Sequence, residues 1–153
     1  MLILFSCKKL IQLTTKQWKA EWGAPLELAH GSSNSRGVAI LFLKGFDCKL
    51  IKNLIDPSGR YISIQAQIND EDYFLVNVYG PNNDNQVAQF DDHLTGLFKT
   101  EGLAYEDKII IGGDFNYPIN PLLDKQGGIL VARPQNIVER MEEIQEVFNL
   151  HDV

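Results

Sequence analysis

Two stretches decide how this chain is read. Asn77-Val-Tyr-Gly-Pro-Asn82 closes the apolar run Phe74-Leu-Val-Asn-Val-Tyr79, and Gly112-Gly-Asp-Phe-Asn-Tyr-Pro118 follows the apolar run Lys108-Ile-Ile-Ile111. Each sets polar side chains just past a strand-like segment, and α/β sheets gather ligands outside the C-terminal ends of their strands. Asp114 and Asn116 alternate along the chain, so an extended backbone points both to one side. The glycines before Asp114 permit a sharp turn and close approach of a ligand to the backbone. Carboxylate, carboxamide and phenol converging on one cleft suit a phosphodiester with a hard divalent cation: oxygens hold the metal, and neutral donors hold the non-bridging phosphate oxygens. Taken singly, Gly-Pro-Asn is a β-turn and Gly-Gly-Asp a tight turn with an Asx bend. Neither motif carries a function by itself.

Working outward, Ile62, Ile64, Ala66 and Ile68 alternate with polar residues after the turn signal Asp56-Pro-Ser-Gly59. The polar stretch Asn69-Asp-Glu-Asp72 then joins this strand to Tyr73–Tyr79 as a hairpin. Val38 to Leu43 is unbroken and apolar, as in a strand covered on both faces, and Lys108–Ile111 reads as a second buried strand. Helical spacing predicts helices over Thr14–Trp22, with Trp18 and Trp22 on one face, and over Asn85–Thr100, with Val87, Phe90, Leu94, Leu97 and Phe98. A last helix near Pro134 has Ile137, Met141, Ile144 and Phe148 as its stripe. Strands in a meander followed by alternating helices and strands define an α/β sandwich on a mixed sheet. The run Met1–Cys7 lacks the basic start and the length of a signal peptide and reads as a short buried strand or a frayed start, with a signal peptide as the lesser alternative.

Composition sets limits. The 153 residues, 44% hydrophobic and 22% charged, suit one ordinary globular domain with a sizeable core. Cys7 and Cys48 stand apart, which excludes a disulfide scaffold and a structural zinc site, and a reduced intracellular setting, nuclear or cytoplasmic, is the expectation. No segment is long enough to span a bilayer. Residues 1–90 hold 9 basic and 8 acidic groups, for +1, whereas residues 91–153 hold 5 and 12, for −7. No basic stripe of the kind that neutralises a nucleic-acid backbone is visible, although a cleft can be locally basic on an acidic protein.

In this order, the strings Asn77–Asn82 and Ile110–Asn116 resemble the core motifs of the endonuclease/exonuclease/phosphatase superfamily, the DNase I-like fold. Ser35-Arg-Gly-Val-Ala-Ile-Leu41, Asp56-Pro-Ser-Gly-Arg-Tyr61, Glu21-Trp-Gly23 and His30-Gly31 make the chain particularly similar to the endonuclease domains of LINE-type retrotransposons, from about Trp18 to Val153. The resemblance implies a partial four-layer α/β sandwich with mixed, mostly antiparallel sheets, and hydrolysis of DNA phosphodiesters with Mg²⁺ or Mn²⁺. It assigns Asp114 to activating water, Asn116 to the scissile phosphate, and Tyr79 and Asn82 to the phosphate and to Asp114. Arg36 and Arg60 are candidates for contact with DNA phosphates. No protein partner is implied.

Departures from the family pattern matter as much. The resemblance places a metal-binding Glu about where Leu4-Phe-Ser-Cys-Lys-Lys9 stands, and no acidic residue precedes Glu21. It also expects a terminal Asp-His pair beyond the helix that ends near His151, so His151 is not the catalytic histidine. His30 and His93 read as surface or packing residues. Two further readings therefore accompany the nuclease: a remnant without turnover that binds nucleic acid or nothing, and a phosphatase of the same superfamily. Electrostatic stabilisation and water activation both lean on the metal. The sequence predicts that the purified 153-residue protein does not nick supercoiled plasmid in Mg²⁺ above an Asp114→Ala control. Metal-dependent nicking lost in that control would contradict it.

Overall fold

The computed structural model describes residues 2–6, 15–24, 26–32, 35–104, 107–116 and 135–151. The chain forms two compact units, Met1–Tyr79 with Lys108–Asp114, and Gly80–Asp107 with Phe115–Val153.

The first unit holds β1 (Leu2–Ser6), α1 (Thr15–Trp22), β2 (Leu26–Ser32), β3 (Ser35–Phe42), β4 (Lys49–Ile55), β5 (Tyr61–Ile68), β6 (Glu71–Tyr79) and β7 (Ile109–Asp114). One sheet has the order β1-β3-β2 and the other β4-β5-β6-β7. All pairings are antiparallel except β6 with β7, which is parallel. The architecture is thus the mixed, mostly antiparallel α/β arrangement expected.

Alternation explains how the layers stack. Val38, Ile40 and Phe42 of β3 join Ala29, Ile62, Ile64, Ala66, Leu75 and Tyr79 in a core between the two sheets. Ala39 and Leu41, on the opposite face of β3, pack with Leu26 and Leu28 against Trp18 and Trp22 of α1. Both faces of β3 are therefore covered, which is why its sequence is an unbroken apolar run. The Trp22 indole donates to the Phe42 carbonyl at 2.8 Å, fixing α1 on the sheet.

The β5–β6 hairpin closes on Asn69 (φ 52°) and Asp70 (φ 64°), with Ile68 opposite Glu71. Two left-handed residues give a primed turn whose twist matches the strands, and Asn and Asp tolerate that conformation best. At the start of the parallel pair, Lys108 reaches Glu71 at 2.5 Å and lies 5.5 Å from the Tyr73 ring centre. Hydrogen bonds from Lys108 and Tyr73 hold the Glu71 carboxyl below its usual range. Cys48 is a free thiol, pushed up by burial and by Asp47, and Cys7 lies outside the described residues.

The second unit contains α2 (Asp84–Thr100) and α3 (Gln135–Val147). Asn83 caps α2, its side chain accepting from Asn85 N–H at 3.0 Å. Both helices stop by the same device. After α2, Gly102 (φ 70°) and Leu103 bond back to Lys99 and Phe98; after α3, Asn149 (φ 51°) and Leu150 bond back to Glu146 and Gln145. Phe98 meets Phe148 edge-to-face with ring centres 4.7 Å apart.

Several expectations need correction. β2 and β4 were not anticipated from the sequence, and β4 is an edge strand with Leu50, Ile51 and Ile55 exposed. β7 is the other edge rather than a buried strand, since Ile110 is 42% exposed. It also runs on through Gly112 and Gly113 to Asp114 instead of ending at the glycines. Of the α3 stripe, Ile144 and Phe148 are buried, while Pro134 and the Ile137 and Met141 side chains lie outside the described residues.

Candidate functional site

In the first unit, parallel pairing aligns Val78 with Gly113 and Tyr79 with Asp114. Both motif-bearing strands therefore finish at the same end of the sheet, on adjacent strands about 4.8 Å apart. The Tyr79 ring is buried in the inter-sheet core, whereas Asp114 is exposed. Asp114 is thus a carboxylate open to solvent.

Tyr79 is gripped by Arg60. Its N–H donates to the Arg60 carbonyl at 2.6 Å, and its carbonyl accepts from the Arg60 guanidinium at 3.2 Å. Arg60 is itself placed by the Asp56 turn. The Asp56 carboxylate accepts from Arg60 N–H at 2.8 Å, from Ser58 N–H at 3.2 Å and from the Ser58 hydroxyl at 2.5 Å. A sequence reading offers Arg60 as a DNA contact; the structure first gives it the task of holding the β6 end. Arg36 lies in β3, and its side chain is outside the described residues.

Within the second unit, Asn116 donates its side-chain N–H to the Gly80 carbonyl at 2.8 Å. Its φ of 59° is left-handed, so the extended Asp-Phe-Asn segment expected from the sequence is not formed. Asn82 is exposed and directly precedes the α2 cap, Asn83. Tyr79 is bonded to Gly80, and Asp114 to Phe115, so each strand end leads straight into its loop.

Two glycines are sterically required. Gly113 has φ 133°, and a Cβ there would strike the Val78 backbone and crowd the Asn77 side-chain oxygen. A Cβ on Gly80 would strike the Phe115 carbonyl. The close approach that the sequence suggested for a ligand is, at Gly113, an approach of the neighbouring strand. Asn77 itself escapes the sequence reading, although a lone amide inside an apolar run is its signal. His30 and His93, read as surface or packing residues, are exposed; His151 is exposed as well and pairs with Asn149 at 2.9 Å.

Among the described residues, no three or more His, Cys, Asp or Glu side chains gather as metal ligands would. The described donors do not fit a Mg²⁺ ion shared by several carboxylates, and no step below is routed through one. Among the described residues, no helix is long and apolar enough to cross a membrane.

No family model matches the chain. It is 26% identical over 130 residues to the transposon TX1 uncharacterized 149 kDa protein of Xenopus laevis, covering 85% of this chain and 9% of that protein. Among solved structures, a β-hairpin deletion mutant of beta toxin from Staphylococcus aureus matches with TM-score 0.56 at 12% identity, covering 99% of this chain and 60% of the other. The human nocturnin catalytic domain with bound sulfate matches with TM-score 0.51 at 15% identity, covering 76% and 51%. D. rerio TDP2 complexed with a single-strand DNA product matches with TM-score 0.50 at 16% identity, covering 76% and 48%. The chain therefore spans about half to three-fifths of these solved chains. The fold is the one these solved structures share, the DNase I-like fold.

The two glycines yield a stability prediction. Gly113→Ala forces a side chain into a left-handed, crowded position and should cost about 1–3 kcal/mol or more. Gly80→Ala should cost a similar amount. Gly96, inside α2 with open space around its Cβ position, is the control, and its replacement by Ala should stabilise by about 0.5–1 kcal/mol. Urea denaturation checks all three; a Gly113→Ala protein as stable as the parent would contradict the strand-end geometry.

Proposed function

We propose that this chain carries the phosphate-handling part of a DNA phosphodiesterase, an endonuclease of the kind retroelements encode. The observation that supports it most is the Tyr79–Asp114 register, which brings the ends of both motif strands to one end of one sheet. Support for DNA comes from the likeness to a transposon protein and to a protein solved with a single-strand DNA product. An intracellular setting, nuclear or cytoplasmic, goes with that partner.

The roles follow from chemistry. Asp114, the exposed carboxylate, orients the attacking water and takes up its proton as the new oxygen–phosphorus bond forms; the bond from phosphorus to the leaving deoxyribose oxygen breaks, and that oxygen takes a proton from solvent. The Asn82 and Asn116 amides and the Tyr79 hydroxyl donate to the phosphate oxygens, where fixed neutral donors stabilise negative charge. Arg60, already held against Tyr79, adds positive charge beside the phosphate, and Arg36 stays a candidate for contact with DNA phosphates. Mg²⁺ or Mn²⁺, which the family resemblance implies, needs carboxylates besides Asp114, so no role in turnover is assigned to it.

A second reading, nucleic-acid binding without turnover, is favoured by one observation: no metal-ligand cluster occurs among the described residues. Fluorescence anisotropy with a labelled single-stranded oligonucleotide at low salt tests the site common to both. Binding should weaken by at least about tenfold, or 1.4 kcal/mol, in Asn82→Ala, and likewise in Asn116→Gly, which tolerates the positive φ. Equal affinity of wild type and both variants would refute a phosphate site at these loops. Binding without cleavage in Mn²⁺ would favour the second reading.

A further inference from the structure

Asn77 is fully buried, within the otherwise apolar run Phe74–Tyr79 of β6. Its side-chain N–H donates to the Ala39 carbonyl of β3 at 2.8 Å, across the space between the two sheets. Its side-chain oxygen lies only 2.7 Å from where a Cβ on Gly113 would be. The amide is therefore wedged between the backbone of one sheet and the glycine that leads into Asp114. Tyr79 follows two positions later on the same face of β6.

Core stability does not call for an amide here. Leu75 and the ring of Tyr79, its neighbours on that face, pack in the core. Burying an amide is unfavourable unless it is bonded, and the bond returns little beyond that loss. What a directional bond supplies, and a methyl group does not, is register. Apolar packing fixes the relation of two faces through many non-directional contacts and ties it to no particular atom. A side chain fastened to one carbonyl of the opposite sheet does tie it to one.

We infer that Asn77 is a positioning residue. It locks the β6 and β7 strand ends against β3, and so fixes where Tyr79 and Asp114 present their polar groups. The inference rests on the reading of those strand ends as the phosphate site, but its geometric part stands apart from that reading. An apolar residue of the same size keeps the core filled and releases the register.

Asn77→Leu is the test, with three readouts: thermal midpoint, backbone amide resonances of Tyr79, Gly113 and Asp114, and affinity for a short single-stranded oligonucleotide. The lock predicts a melting temperature close to wild type, displaced or broadened Tyr79, Gly113 and Asp114 signals, and affinity lower by about tenfold or more. Unmoved signals with unchanged affinity would overturn it, as would a loss of melting temperature with folded molecules binding normally. If Asn77→Leu does not fold, Asn77→Thr, whose hydroxyl can donate to the same carbonyl, is measured in its place and must fall between wild type and Asn77→Ala in resonance displacement. If the wild type binds no oligonucleotide, the phosphate reading fails, and the displacement of the Tyr79 and Asp114 signals still decides the lock.

Discussion

The parallel pairing of β6 with β7 is the constraint on which the rest depends. Among the described residues it is the one parallel pairing, and it joins strands separated by α2, a crossover that no hairpin can make. Its register sets Tyr79 beside Asp114. A slip of one residue would send every side chain of a strand to the opposite face, so the chain spends specific features on this pair. Lys108 and Glu71 close its beginning, and Gly113 allows its end to tighten where no side chain would fit. Asn77 then ties the pair to the facing sheet.

Electrostatics divides the work. The second half of the sequence is strongly acidic, so a polyanion gains little from long-range attraction there. On the proposed reading, recognition of a phosphate rests on short-range, directional donors held in place. Arg60 illustrates this: a turn built on Asp56 and a pair of backbone bonds to Tyr79 fix its backbone and guanidinium at the strand end. Positions fixed this way have little conformational entropy left to lose on binding.

Much of this was legible in the sequence, for physical reasons that can be named. The β5–β6 hairpin declared itself through strict alternation and an Asn-Asp turn, and α2 through its apolar stripe. β3 showed as an unbroken apolar run because both its faces are covered. β4 did not show: Lys49-Leu-Ile-Lys-Asn-Leu-Ile55 has no two-residue period, since the strand is an exposed edge with a register shift between Leu50 and Lys52. β2 was hidden by its glycine and histidine, although its residues do alternate between the α1 layer and the inter-sheet core. The candidate site was visible as motifs, yet its geometry was not. Asn116 takes a left-handed φ that no pattern announces, and the significance of Asn77 depends on a carbonyl far away in sequence.

The central claim is that the ends of β6 and β7, paired at Tyr79 and Asp114, serve one phosphate group. Titrating the ¹⁵N-labelled protein with a deoxydinucleotide while following backbone amide resonances tests it directly. Tyr79 and Asp114 should both move, and their shifts should fit a single dissociation constant. Movement confined to one strand end, or two strand ends saturating at different concentrations, would contradict the account.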